Sequence, residues 1–150
     1  MLMREILFRG LHRRKGEKVR MDGTPVESMW VYGGYCQYNE ERGIIYQTEP
    51  NICKYPVYAD SVGQYTGLTD KNGNKIFEGD IFKISGKRVK NYVFWYDEDE
   101  RGFVYGSVYK KGYRLYLAKY CISIKESEIE IIGNIHDNPE LIGGDVNDHY

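Results

Sequence analysis

Three carboxylates, Asp70, Glu78 and Asp80, fall within eleven residues, and closely set carboxylates can divide acid and base duties or share a metal ion. Their neighbours argue for another use. Asp70-Lys71-Asn72-Gly73-Asn74 reads as a tight turn, in which Asp caps its own backbone and Asn-Gly supplies the positive φ of a hairpin loop. A calcium loop started at Asp70 would carry Asn at its third and fifth positions. It has Lys75 where glycine is needed and Ile81 where a bidentate Glu is needed. Glu78-Gly79-Asp80 separates two apolar strand segments, and a left-handed glycine followed by a capping Asp explains it. Turn geometry is the expectation here, with no catalytic residue.

Other chemistry fares no better. His12, Cys36, Cys53, Cys121, His136 and His149 could ligate zinc, but no two share the close spacing of such sites. There is no GxSxG, no P-loop and no GxGxxG. The three cysteines are odd in number and lack CxxC spacing, which suits small buried hydrophobes in a reducing cytoplasm. Neither a metal nor a cofactor is expected. The charged N-terminus does not read as a signal peptide, and no run is apolar and long enough to span a membrane.

The elements that carry these residues are strands. With 17 Gly and 15 Tyr in 150 residues, the composition favours many short strands with tight turns and half-buried pleated faces. Strands are expected at Arg4 to Leu11, Lys18 to Met21 as its short partner, Met29 to Tyr38 with a bend at Gly33-Gly34, and Ile44 to Tyr46. Thr48 to Gly63, holding Pro50 and Pro56, reads as an irregular hinge. From Tyr65 a meander follows: Lys75 to Glu78, Ile81 to Ile84, Val89 to Tyr96, Phe103 to Tyr109, Tyr113 to Ile124 and Glu128 to Ile135. Turn signals every 8 to 12 residues or so mark a small barrel or sandwich. Asn138-Pro139 is expected to cap a short helical turn, and residues 143–150 read as a frayed, disordered tail.

Three blocks resemble the signature of the YopX family, small proteins carried mainly by bacteriophages and prophages. They are Arg4 to Arg9, Gln64 to Gly73 with Ile76 to Ile81, and Glu130 to Leu141. The signature positions are Tyr65, Gly67, Leu68, Asp70, Asn72, Gly73, Glu78, Gly79, Asp80, Gly133, Asn134, Asn138 and Pro139. Gly10-Leu11 replaces the Ala-Trp that often follows the first block, and His136 stands where an aromatic is usual. The resemblance implies a mostly-β fold with a small SH3-like barrel and brings no agreed biochemical activity. With it, residues 1–63 are expected to form a β elaboration and 64–142 the barrel, or 1–142 a single domain.

Two functional readings remain. Aromatic residues crowd the meander, and Tyr92, Trp95, Tyr105, Tyr109, Tyr113 and Tyr116 are the candidate interface for self-association or for a host or phage protein. This non-catalytic binding module is the leading expectation. The alternative is a nucleic-acid-binding accessory factor using Arg9, Arg13, Arg14 and Lys15 with nearby aromatics. Residues 1–20 hold seven Arg or Lys against two Glu, while the whole chain has a net charge of −1. That balance argues against generic nucleic-acid affinity, and the acidic turn Asp97 to Glu100 would repel phosphate.

Overall fold

Alternation of inward and outward side chains, with the period of two that defines a strand, shapes nearly every element. The structure, a computed structural model, describes residues 5–86, 91–99, 101–111, 114–121 and 125–142, with the backbone alone for 107–111 and 114–121. Its strands are β1 (Phe8–Arg13), β2 (Met29–Gln37), β3 (Arg42–Gln47), β4 (Cys53–Tyr58), β5 (Gly63–Thr69), β6 (Lys75–Phe77), β7 (Asp80–Ile84), β8 (Tyr92–Asp97), β9 (Gly102–Lys111), β10 (Arg114–Cys121) and β11 (Ile129–Asn134). Single 3-10 turns at Ala59–Ser61, Glu126–Glu128 and Pro139–Leu141 are the helical elements among the described residues. The protein is mostly β, in two antiparallel sheets. The chain divides into two compact units, Met1–Tyr65 and Thr66–Tyr150.

In the first unit the strand order is β4-β3-β2-β1-β5. Strand β2 serves two partners in turn: Gly33 is opposite Phe8 of β1, and the next residue, Gly34, is opposite Tyr46 of β3. The bend expected at Gly33-Gly34 is thus the point of partner exchange. A Cβ at Gly33 would lie 2.0 Å from the Tyr46 carbonyl oxygen, so only glycine lets the strands approach there. Val31, Ile45 and Val57 form the core, with Phe8, Met29, Tyr35, Tyr55 and Val62 packed on it.

The hinge expected over Thr48 to Gly63 is instead part of this unit. It contains β4 and a 3-10 turn, and Val57 and Ser61 are buried. Ser61 Oγ accepts the Leu11 amide at 2.8 Å and donates to the Tyr58 carbonyl at 2.6 Å. Pro56 sits opposite Ile44 in β4, tolerated because β4 ends the sheet and an edge strand can spare an N–H. The partner strand expected at Lys18 to Met21 is reduced to one bridge between Val19 and Pro25.

In the second unit, β5 pairs with β6, and a five-stranded ladder runs β10-β9-β8-β7-β11. Phe82 is fully buried at its centre, with ring centroids of Phe94, Tyr92 and Tyr105 at 4.2, 5.5 and 5.9 Å. Ile76, Ile84 and Ile129 complete this core. Offset and edge-on aromatic packing of this kind adds to the stability gained by burial alone. The described ladders form no closed barrel. On the outer edge of β11, where closure would need another strand, the Asp70 turn takes over: the Lys71 amide donates to Ile129 O at 2.9 Å, and the Ile131 amide donates to Asp70 Oδ2 at 3.2 Å. Residues 87–90 and 143–150, on which parts of the expected strand and tail fall, lie outside the described residues.

Candidate functional site

Apart from Tyr65, which ends the first unit, the signature residues lie in the second unit, most of them at turns that they fasten. Asp70 is 4% exposed. Its Oδ1 accepts the amides of Asn72 and Asn74, both at 2.9 Å, and its Oδ2 accepts Asn74 Nδ2 at 3.3 Å as well as the distant Ile131 amide. Burial pushes its pKa up, but the hydrogen bonds from Asn74, Ile131 and Asn72 together outweigh this and hold it below the usual carboxylate value. Gly73, at φ +82°, completes the turn by donating to Asp70 O at 3.0 Å. Leading into it, the buried Tyr65 donates its amide to Leu7 O at 2.8 Å, Gly67 sits at φ +88°, and half-buried Leu68 packs on the core.

Glu78-Gly79-Asp80 secures the next corner. Gly79 has φ +85°, donates to Phe94 O at 2.8 Å and accepts from the Ile135 amide at 2.9 Å. Asp80, 2% exposed, accepts the Phe77 amide on Oδ2 at 2.7 Å. Glu78 Oε2 accepts the Tyr96 amide at 3.1 Å. These three carboxylates meet amide donors, which lets each secure backbone that a β ladder leaves unpaired.

The third block is one interlocked turn. Asn134 Oδ1 accepts the amides of His136 and Asp137 at 3.0 and 2.9 Å, and Asn138 Oδ1 accepts the Asn134 amide at 3.2 Å. Asn138 was expected to cap the helical turn that starts at Pro139. Its side chain makes no such cap, because it reaches back to Asn134 instead. A Cβ at Gly133 would stand 2.5 Å from Asn138 Oδ1, so glycine there makes room for the Asn138 amide.

The candidate interface tyrosines separate. Tyr92 and Tyr105 are buried at 5% and 7% exposure, which corrects their assignment to a surface: alternation along β8 and β9 turns them onto Phe82. Trp95 is half-buried, and Tyr96 is exposed. Tyr109 and Tyr116 are backbone partners in the β9–β10 register; their side chains, and all of Tyr113, lie outside the described residues.

The basic N-terminal residues are largely engaged. Arg9 is buried, its guanidinium 4.6 Å from the centre of the Trp30 ring, which corrects its reading as a surface cation. Arg13 Nε donates to Glu27 O at 3.2 Å. Arg14 Nη2 donates to both Asp60 oxygens at 2.8 and 3.0 Å, while Lys15 is exposed. Arg14 and Arg42 also lie 4.2 and 4.1 Å from the Tyr58 ring. These residues with Glu40, Glu41 and Asp60 line an open cleft of about 450 Å³, whose mixed charges nearly cancel. Sequence reasoning did not single out Tyr58 or Arg42. The signal was there in the one-to-one register of β3 and β4, which needs the fold to be seen.

Among the described residues, no group of three His, Cys, Asp or Glu side chains is placed to hold a metal ion. No described helix is long and apolar enough to cross a membrane.

Fold and site together define a class: an antiparallel β protein whose acidic and amide signature residues fasten turns to sheet edges. The chain belongs to the YopX family, whose model, described as YopX protein, matches residues 18–143. The chain is also similar to the crystal structure of protein EF1440 from Enterococcus faecalis, at 19% identity and a TM-score of 0.41, over 92% of this chain and 98% of that one. No curated protein sequence matches the chain.

Proposed function

We propose that this is a phage- or prophage-derived, cytoplasmic, non-catalytic binding module that associates with itself and engages a protein partner. On this reading the second unit is an SH3-like roll left open at its β10 and β11 ends. The observation that carries the proposal is at the end of β8. Tyr96 is 45% exposed, with its ring edge-on to Phe103 at 5.5 Å and half-buried Trp95 beside it. An exposed aromatic held by another aromatic is a rigid anchor of the kind that dominates protein interfaces. The amide partners of Asp70, Glu78 and Asp80 support a non-catalytic role, since a carboxylate engaged by backbone is a poor base.

Light scattering at low and high salt tests this reading. The expected result is an oligomer whose mass does not change with salt, because burying aromatic surface is not screened by ions. Tyr96→Arg is expected to convert it to monomer while leaving the circular dichroism unchanged. A wild-type monomer at every concentration tested would refute it.

A further inference from the structure

The strands of the first unit show an unusual bias. No Asp or Glu lies within β1 to β4, although they carry Arg9, Arg13, Arg42 and Lys54. Val31, Ile45 and Val57 take the core side. Alternation and register therefore place Trp30, Tyr32 and Gly34 of β2, Ile44 and Tyr46 of β3, and Lys54 and Pro56 of β4 together on the opposite face. Tyr32 is 44% exposed and Tyr46 39%. Between them Gly34, directly opposite Tyr46, has no atom within 4 Å of where its Cβ would be, so the floor between the two rings is open. Tyr32 is the diagonal neighbour of Tyr46, about 7–8 Å away in such a ladder. Lys54, opposite Tyr46, holds its Nζ 5.8 Å from that ring.

We infer that the solvent face of β2–β4, built on Tyr32, Gly34, Tyr46 and Lys54, binds single-stranded nucleic acid. Exposed aromatic rings accept any base by stacking, and adjacent cations take the phosphates. The charge pattern chooses this occupant over a second copy. Two such faces brought together would set Lys54 against its own counterpart, with no carboxylate within β2, β3 or β4 to answer it. Duplex is a poor fit, because its bases are already stacked and a flat aromatic shelf enters neither groove. Of the basic N-terminal run, Arg9 lies opposite Tyr32 in the ladder but is buried against Trp30, and Arg14 is paired with Asp60.

The test is fluorescence anisotropy of the full chain with labelled ten-residue oligo-dT and oligo-U. Both are expected to bind, and a fourfold rise in salt should weaken binding about sevenfold if two phosphates are neutralised. Tyr32→Ala and Tyr46→Ala should each weaken it by roughly fivefold or more. Tyr46→Phe, which keeps the ring, should hold the wild-type affinity and so separates stacking from misfolding. Lys54→Gln should reduce the salt slope by about 0.7. Arg13→Ala with Arg14→Ala should change nothing. The inference is overturned by no binding at low salt, by alanine variants that bind as tightly as wild type, or by loss of affinity confined to the Arg13/Arg14 variant. Equal competition by duplex DNA or by polyglutamate would also overturn it, the latter pointing to an acidic protein partner.

Discussion

Asp70 and Gly133 show how single residues in this protein do structural work that resembles chemistry. Four donors converge on the Asp70 carboxylate, one of them 61 residues away in sequence. Asp70→Ala leaves these donors unanswered, and with a buried unsatisfied group costing about 1–3 kcal/mol, a loss of roughly 3 kcal/mol is expected in urea unfolding. Gly133→Ala pushes on Asn138, whose side chain also holds the Asn134 amide, so it should cost about 1–3 kcal/mol by overpacking. In an Asn138→Ala background the obstacle is gone. The cost there should shrink, and a double-mutant cycle reads the difference as coupling. The Asn-Gly turn at Asn72-Gly73 was legible because its chemistry is local. Asn138 was not, since a cap to the following turn and a reach back to Asn134 look the same in one dimension.

At the scale of elements, β2 is the strand on which the first unit turns. Its two adjacent glycines have unlike surroundings. Gly33 lies against the Tyr46 carbonyl and Gly34 faces open space. Gly33→Ala should therefore destabilise by about 3 kcal/mol or disrupt the β2–β3 ladder, while Gly34→Ala should stay within about 0.5 kcal/mol of wild type. Thermal melts of the two variants side by side check this. Sequence marked both as one bend, because which glycine meets a neighbouring backbone depends on a strand that has not yet been placed. The same holds for Thr48 to Gly63, where two prolines suggested a hinge. An edge position, invisible in sequence, is what lets Pro56 sit within β4.

For the molecule as a whole, acidity is the revealing variable. Asp70 has a lowered pKa in the folded state, held down by amide hydrogen bonds against the effect of burial. Glu17, held by the Arg14 amide, and Asp22, held by Thr24, are lowered too, but both are fully exposed. A lowered folded pKa contributes stability that is complete above the unfolded value of about 3.9 and is lost as pH falls through the folded one. Stability is thus expected to be flat from neutral pH down to about 4.5 and to fall below it. Asp70→Asn should make that acid limb shallower, which urea midpoints measured across pH will read. The exposed Arg14–Asp60 and Lys71–Glu130 pairs should shape this profile little, since surface pairs contribute about 0–1 kcal/mol.

What the sequence by itself determined follows from short-range rules. Period-two alternation, glycine at positive φ and turn-forming Asp and Asn specify an antiparallel β protein, and the spaced signature blocks mark its YopX family. The tertiary structure decided which side of each strand faces in. Tyr92 and Tyr105 became core around Phe82, Arg9 was buried against Trp30, and Tyr32 and Tyr46 were left outside with Lys54. A tyrosine serves equally well on either face of a pleated sheet. Only the strand order and register, which join residues far apart in the chain, decide which face it takes.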